Sequence, residues 1–475
     1  MLLIDRKAHW YEILLLCVVA FCIRAFVFSY YMQHNERYCQ SDSLDYHSCA
    51  CCINHGLGMH NPDGRPIYWR TPGYPALLNF FYEPKNCFDF EKYYPYHARV
   101  IWFQIILCSL LPLCAYILTM LLTQSPALAW IVAGISVVHT GFVLASSYLL
   151  TDAIAQIFFI LFLIFFLPNF SFFKKPQPFM RPLIAFCIAA LFLALYTWMR
   201  PMGQFIALGS AIMLLFSNAQ FKQKTVWAFC FLLLFFVSIS PWFYRNYKLT
   251  GSAFFCPLFG LYLNVFNAPK ILSRVANIPL KEAHSHLSYA SAMLASQEQT
   301  AYQQQKSTLK VCPEMICLKT ALPLIVAHPF YFFYDWSTEV IKTTFDLYAY
   351  QLIALHHNCF KWDPLIEYLP QKIQECLYKK ELPLGMRLLA IIEFLLYFML
   401  WIGIFVGFCT ILLKPFLDEK PFNDQADLWL KLLLCILFVV AQTGGFGYAR
   451  LRLPIELLII ILGCSFWLRR SIVKR

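Results

Sequence analysis

Read for polarity alone, the chain is a series of long apolar runs separated by short polar segments. Runs of about 20 residues, enough to cross roughly 30 Å of hydrocarbon, recur at 11–31, 98–122, 127–150, 153–170, 183–199, 203–219, 225–244, 386–412, 427–443 and 453–468. Region 318–356 has room for more. The expected fold class is therefore all-α and polytopic, with about 10–13 membrane-crossing helices. Two longer polar segments break the rhythm, at 32–97 and 245–385. No internal repeat or low-complexity tract divides the chain, so 1–475 reads as a single membrane domain. The first apolar run is too long for a cleaved signal, and no small-residue cleavage site follows it, so a retained first membrane helix is expected.

Composition agrees with that reading. Of 475 residues, 60% are hydrophobic and 13% charged, and 46 are Phe, far beyond what a soluble core needs. The net charge of +12 follows the positive-inside bias, and no nucleic-acid partner is expected. Arg6 and Lys7, Lys174, Lys175 and Arg181, Lys222 and Lys224, Lys414 and Lys420, and Arg469, Arg470, Lys474 and Arg475 all fall on one side if ten spans alternate. That side is cytoplasmic, with both termini. Segments 32–97 and 245–385 then face outward, with juxtamembrane helices expected in the first.

Cysteine usage adds little. Cys39, Cys49, Cys51, Cys52, Cys87, Cys256, Cys312, Cys317, Cys359 and Cys376 fall in the two outward segments, where disulfides are permitted. The C-A-C-C run at 49–52 lacks the spacing of a zinc site. Further on, K-E-A-H-S-H…T-L-K (281–310) has the polarity of amphipathic helices. The aromatic stretch after it is interrupted by Pro323, His328, Pro329, Asp335, Glu339 and Lys342, which suits a helix lying at the interface better than one crossing it.

Charges inside apolar sequence are costly, so each needs a reason. Arg24, within the first run, reads as a side chain snorkelling to the interface. Asp152 is the only charge between Val100 and Phe173. It is either a solvated helix cap or part of a site. Arg200 precedes Pro201, Arg245 follows S-P-W-F-Y, and Arg450 and Arg452 lie in G-Y-A-R-L-R-L-P. Each alone fits an ordinary interfacial arginine. Together they place several cations on the face that also carries Asp42, Asp45, Tyr46 and, inside an R-T-P-G-Y-P turn, Arg70 and Tyr74. Guanidinium forks suit phosphate oxygens, and carboxylates suit proton transfer. If 42–46 is helical, Asp42 and Asp45 share a face.

These pieces resemble, in order along the chain, the GT-C superfamily of integral-membrane glycosyltransferases. They are D-S-L-D-Y (42–46), G-L-G (56–58), R-T-P-G-Y-P (70–75), L-L-T-D (149–152), R-P (200–201), P-W-F-Y-R-N-Y-K-L-T-G (241–251), A-H-P-F-Y-F-F (327–333) and R-L-R-L-P-I-E (450–456). The chain is most similar to bacterial relatives of the dolichyl-phosphate-mannose protein mannosyltransferases (glycosyltransferase family 39) and to the lipid A aminoarabinose transferases. The resemblance implies that Asp42 is the catalytic aspartate, Asp152 a second acidic position, Arg70 a donor-phosphate ligand, and Tyr46 and Tyr74 substrate-positioning residues. Two departures stand out. Ser43 occupies a position where those families carry glutamate, which weakens any metal assignment. Soluble C-terminal domains of the larger members have no counterpart here.

The expected function is transfer of a sugar from a polyprenyl-phosphate donor to an acceptor hydroxyl, by one inverting displacement. Asp42 is the expected base, with Asp45 its rival. Arg70 is expected to hold the leaving phosphate, helped by Arg200, Arg245 or Arg450. The acceptor, whether lipid, glycan or protein, and the sugar are left open. No cofactor is assigned, and a divalent metal is left open. The alternatives are a polyprenol-linked sugar flippase, whose charges would line the bundle core, and an envelope scaffold without chemistry. No N-glycosylation sequon falls in the outward segments, which favours a bacterial inner membrane over the endoplasmic reticulum.

Overall fold

The computed structural model describes residues 10–31, 38–83, 93–173, 178–305, 309–345, 347–348, 384–413, 415, 424–442 and 449–468. Among them the chain is helical with no strands, an all-α polytopic membrane protein as its apolar rhythm predicts. Arg6, Lys7, Lys174, Lys175, Lys414, Lys420, Arg469, Arg470, Lys474 and Arg475, used above to orient the chain, lie outside the described residues, as do Cys87, Cys359 and Cys376. Among the described residues, no disulfide joins the other seven cysteines of the two long polar segments.

The apolar runs become α1 (Trp10–Tyr31), α4 (Tyr94–Cys108), α5 (Leu111–Thr123), α6 (Pro126–Val138), α7 (Thr140–Ser147), α8 (Asp152–Phe166), α9 (Met180–Met199), α10 (Gly203–Leu215), α11 (Phe221–Thr250), α16 (Leu384–Gly407), α17 (Asp424–Ala441) and α18 (Glu456–Trp467). The first long polar segment adds α2 (Ser41–Asn54) and α3 (Gly73–Phe81). The second adds α12 (Ala268–Ala276), α13 (Leu280–Gln304), α14 (Pro313–Ala327) and α15 (Pro329–Phe345).

Six described helices are long and apolar enough to cross a membrane, or eight if each of two bent pairs is one span. This is fewer than the ten or more expected, for local reasons. The run at 203–219 yields a helix of only 13 residues. The run at 427–443 carries Asp427 and Lys431, which bury themselves as an ion pair at 2.8 Å. The run at 453–468 opens with a 3-10 turn at Leu453–Ile455, leaving 12 residues for α18. The run at 127–150 bends by 46° at His139, between α6 and α7. The aromatic stretch forms α14 and α15, bent by 109° at His328.

Arg24 does not snorkel. It is fully buried on α1, and its guanidinium donates to the carbonyls of Ala20 at 3.0 Å and of Val137 and Ser136 at 3.4 Å. Those last carbonyls lie at the end of α6, which the bend leaves without helical donors. A further buried pair lies near the same bend, where Glu456 stands 3.8 Å from His139. Arg452 and Glu456 are both fully buried and ion-paired, and Arg452 also donates to the carbonyls of Thr343 and Thr344 at the end of α15.

Candidate active site

The site is built at one end of the bundle, where α8 begins and α9 ends. The polar residues that open α2 dictate its placement. Ser43 is fully buried; its hydroxyl accepts from the Gln40 N–H and donates to the Leu149 carbonyl, both at 2.9 Å. Leu149 N–H returns a bond to the Tyr38 carbonyl at 3.0 Å. These bonds hold the first turn of α2 against the strand-like approach to Asp152. Ser43 thus has a packing role that a glutamate could not fill without burying a charge.

The loop after α2 is fixed at its far end. Thr71 donates to the Met199 carbonyl at 2.8 Å, tying the loop to the last turn of α9. Gly73 approaches that turn so closely that a Cβ would stand 2.5 Å from the Trp198 carbonyl oxygen. The glycine is needed here for proximity, since its backbone adopts an ordinary conformation.

Between these anchors, charges alternate. Asp45 accepts from Arg70 Nε and Nη2 at 3.0 and 2.8 Å and from Trp69 Nε1 at 3.4 Å. The same Arg70 Nη2 donates to Asp42 at 2.7 Å. Arg450 Nη2 reaches the other oxygen of Asp42 at 3.4 Å, and its Nε donates to Asp152 at 2.8 Å. Arg200 Nη1 donates to the remaining Asp152 oxygen at 2.6 Å. The chain of contacts runs Asp45, Arg70, Asp42, Arg450, Asp152, Arg200 without a gap. Three acids and three arginines make it neutral overall.

Exposure grades along this row: Asp152 is 2% exposed, Asp42 24% and Asp45 39%. Burial alone would raise the Asp42 pKa, but Arg70 and Arg450 outweigh it and hold the carboxyl below its usual range. For Arg70, burial favours the neutral form, and the charges of Asp42 and Asp45 together with Tyr46 overcome it, pushing its pKa up.

Tyr46 and Tyr74 sit beneath this row. Arg70 lies over the Tyr46 ring at 5.2 Å, and Tyr46 meets Tyr74 edge-on at 5.2 Å. Tyr74 donates to Gln104 Oε1 at 2.7 Å, and Gln104 donates to the Tyr148 carbonyl at 2.8 Å. Tyr74 is fully buried, so it supports the site from below. Further down, His47 on α2 lies 3.0 Å from His97 on α4 and 2.9 Å from the Tyr82 hydroxyl, pinning α2 to the bundle.

Arg245 stands apart from the row. It donates to the carbonyls of Ile67 and Met59, each at 2.9 Å, and is stacked on Trp242 at 4.5 Å. It clamps the loop that carries Trp69 and Arg70. Among the described residues, no group of three or more His, Cys, Asp or Glu is arranged to hold a metal ion. The carboxylates of the row spend their lone pairs on guanidinium and indole donors instead.

The arrangement of helices matches solved structures. The Archaeoglobus fulgidus oligosaccharyltransferase AglB, in complex with an inhibitory peptide and a dolichol-phosphate, aligns with a TM-score of 0.50 at 14% identity over 99% of this chain and 52% of its own. The apo form of the oligosaccharyltransferase from that organism gives 0.51 at 13% identity, over 98% and 51%. Its form tethered to an acceptor peptide containing the NVT sequon gives 0.51 at 14%, over 99% and 51%. The fold is GT-C.

The chain spans about half the length of these structures. No family model and no curated protein matches it. At this identity the likeness shows the GT-C fold alone. The neighbours are oligosaccharyltransferases, whereas the sequence motifs resemble the protein mannosyltransferases and aminoarabinose transferases. Within the GT-C fold, sequence reading singled out every member of the charge row. It read Ser43 only as a departure from the family pattern and Trp69 only as a neighbour of Arg70, and it missed Gln104 and the His47–His97 pair, which no charge marks.

Proposed function

We propose that this protein is a membrane glycosyltransferase that moves a sugar from a polyprenyl-phosphate donor to an acceptor hydroxyl at the extracytoplasmic face of a bacterial inner membrane. The observation that carries the reading is the neutral row of alternating acids and arginines at one end of a GT-C fold. Every arginine in it is already paired, so an incoming phosphate is bound by exchange.

The donor phosphodiester takes Arg70 and Arg450 from Asp42. That removes the influence that depresses the Asp42 pKa and leaves its carboxylate as a base. Asp42 accepts the proton of the acceptor hydroxyl. The acceptor oxygen forms a bond to the sugar C1 as the bond from C1 to the phosphate oxygen breaks on the opposite side, which inverts the anomeric centre. The bonding electrons leave with polyprenyl phosphate, whose new charge meets Arg70, Arg450 and Arg200. Each such donor is worth about 2.7–4 kcal/mol in comparable oxyanion sites. Asp152 holds Arg200 and Arg450 for that purpose, and Arg245 acts on the loop. Support from the neighbours is indirect: AglB was solved with a dolichol-phosphate, and the Archaeoglobus fulgidus oligosaccharyltransferase was solved tethered to an acceptor peptide.

The test is comparative mass spectrometry of envelope lipids, glycans and proteins from cells expressing the wild type or Asp42→Asn. A mass difference of one glycosyl unit on a hydroxyl-bearing species is expected. Identical profiles, from a wild type that turns over no polyprenyl-phosphate sugar when purified, would refute the proposal.

A further inference from the structure

Helix α15 is turned inside out for a protein surface in water. Asp335, Glu339 and Thr343, at spacings of four residues, point inward and are 4%, 6% and 0% exposed. Asp335 pairs with Arg274 at 2.7 Å and Glu339 with Lys270 at 2.9 Å, both partners on α12. The opposite stripe is largely apolar and open, with the Arg274 guanidinium reaching the Tyr334 ring at 5.3 Å on its margin. Phe330 is 89% exposed, Phe333 64%, Tyr334 63% and Ile341 59%. On α14, before the bend, Val326 continues the patch at 68%. A helix that buries its charges and presents its aromatics is stable where its outer surroundings are less polar than its inner ones.

The bend fits the same surroundings. A bend of 109° turns α15 back from the course of α14. The backbone at the elbow remains bonded, with His328 N–H to the Leu324 carbonyl at 3.1 Å and Phe332 N–H to the His328 carbonyl at 3.3 Å. Aromatic residues collect where headgroups meet acyl chains. Position along the bundle agrees too. Trp336 donates to the Ala441 carbonyl at the end of α17, and the end of α15 accepts from Arg452, two residues beyond Arg450 of the charge row.

We propose that the α14–α15 elbow is a lipid-docking surface: a re-entrant corner, led by Phe330, Phe333 and Tyr334, that rests in the phospholipid leaflet at the site end of the bundle. The occupant is the bilayer. The inference is independent of the reaction proposed above. Through α15 and Arg452, the depth of this corner in the leaflet fixes the height of Arg450 above the acyl chains.

The test places a photoreactive benzoylphenylalanine at Phe330 or Tyr334 in the full chain. The protein is reconstituted in vesicles of phosphatidylcholine and phosphatidylglycerol and irradiated. Tyr289 on α13, 69% exposed, is the control position. The expected result is phospholipid adducts at 330 and 334, carried on the glycerol-proximal half of the acyl chain, and none at 289. Several outcomes overturn the proposal. These are a cross-linked dimer without lipid adducts, a peptide from 349–383 captured in place of lipid, adducts near the acyl methyl end, or equal lipid labelling at 289. Size-exclusion profiles matching the wild type establish that the variants fold.

Discussion

Asp42→Asn separates binding from chemistry. Asparagine keeps the shape of aspartate and removes one charge from a row that is otherwise neutral, leaving it at +1. Loss of a positioned general base lowers turnover by about 10²–10⁴-fold, or about 2.7–5.4 kcal/mol of barrier. Donor binding moves the other way. Asp42 competes with the phosphate for Arg70 and Arg450, which it holds at 2.7 and 3.4 Å. Charge-assisted hydrogen bonds of this kind are worth about 1.5–3 kcal/mol when buried. With the Asp42 side chain 24% exposed and one contact long, the discounted gain is about 1.4 kcal/mol, or roughly tenfold tighter binding. The assay uses purified protein in nanodiscs, measuring polyprenyl-phosphate affinity by titration and single-turnover transfer from a defined donor. Weaker phosphate binding in the variant would refute the exchange of partners. Retained turnover in both Asp42→Asn and Asp45→Asn would refute the carboxylate base; loss in Asp45→Asn alone would move the base to Asp45.

Other perturbations follow from the same geometry. Arg70→Ala should weaken use of the donor by about 10²–10³-fold, with Arg70→Lys recovering only part, because lysine replaces a fixed fork with a mobile point charge; unchanged turnover per folded molecule would limit Arg70 to a structural role. Because the Asp42 pKa is depressed in the folded protein, its ionisation stabilises the fold above its unfolded value of about 3.9 and ceases to do so as pH falls through the lower folded value. Thermal melts of wild type and Asp42→Asn should therefore keep a constant gap from neutral pH to about pH 4 and converge only below it; convergence already at pH 6 would contradict the ion pairing. Gly73→Val should destabilise by about 1–3 kcal/mol through collision with the Trp198 carbonyl, while Gly134→Ala, with open space at its Cβ, should be neutral or slightly stabilising by thermal melt.

The apolar runs announced the helices because a bilayer demands a minimum length of apolar residues, and that demand is written locally. What shortened the count is equally physical but non-local. Lys431 and Asp427 look like a span's end until they are seen buried together, and Arg24 looks like an interfacial cation until the α6 carbonyls reach it. Asp42 and Asp45 were readable as one helix face. Their pairing with Arg70 could be guessed from chemistry but not from spacing. The partnership of Arg450 with Asp42 crosses 408 residues, and no local pattern encodes it. Arg245 misled for the opposite reason: its residue type and its end of the helix fit a phosphate ligand, but two loop carbonyls and the Trp242 ring engage it first.

The charge row also has an order of assembly. Asp42 and Arg70 are 28 positions apart, and Asp152 and Arg200 are 48 apart. Both couples are complete in a nascent chain that has not yet been made past its middle. The second can neutralise itself as soon as its own helices are inserted; the first, which Asp45 shares, keeps one negative charge. Arg450 is translated last, 408 positions after Asp42 and 298 after Asp152, and it alone touches both couples. A chain stopped before it holds Asp42 and Asp45 on the single Arg70, one negative charge in excess, a neutral Asp152–Arg200 pair, and no continuous row. Until Arg450 arrives the unfinished row is net negative, so an unfinished protein would offer no assembled anion site to the lipids around it.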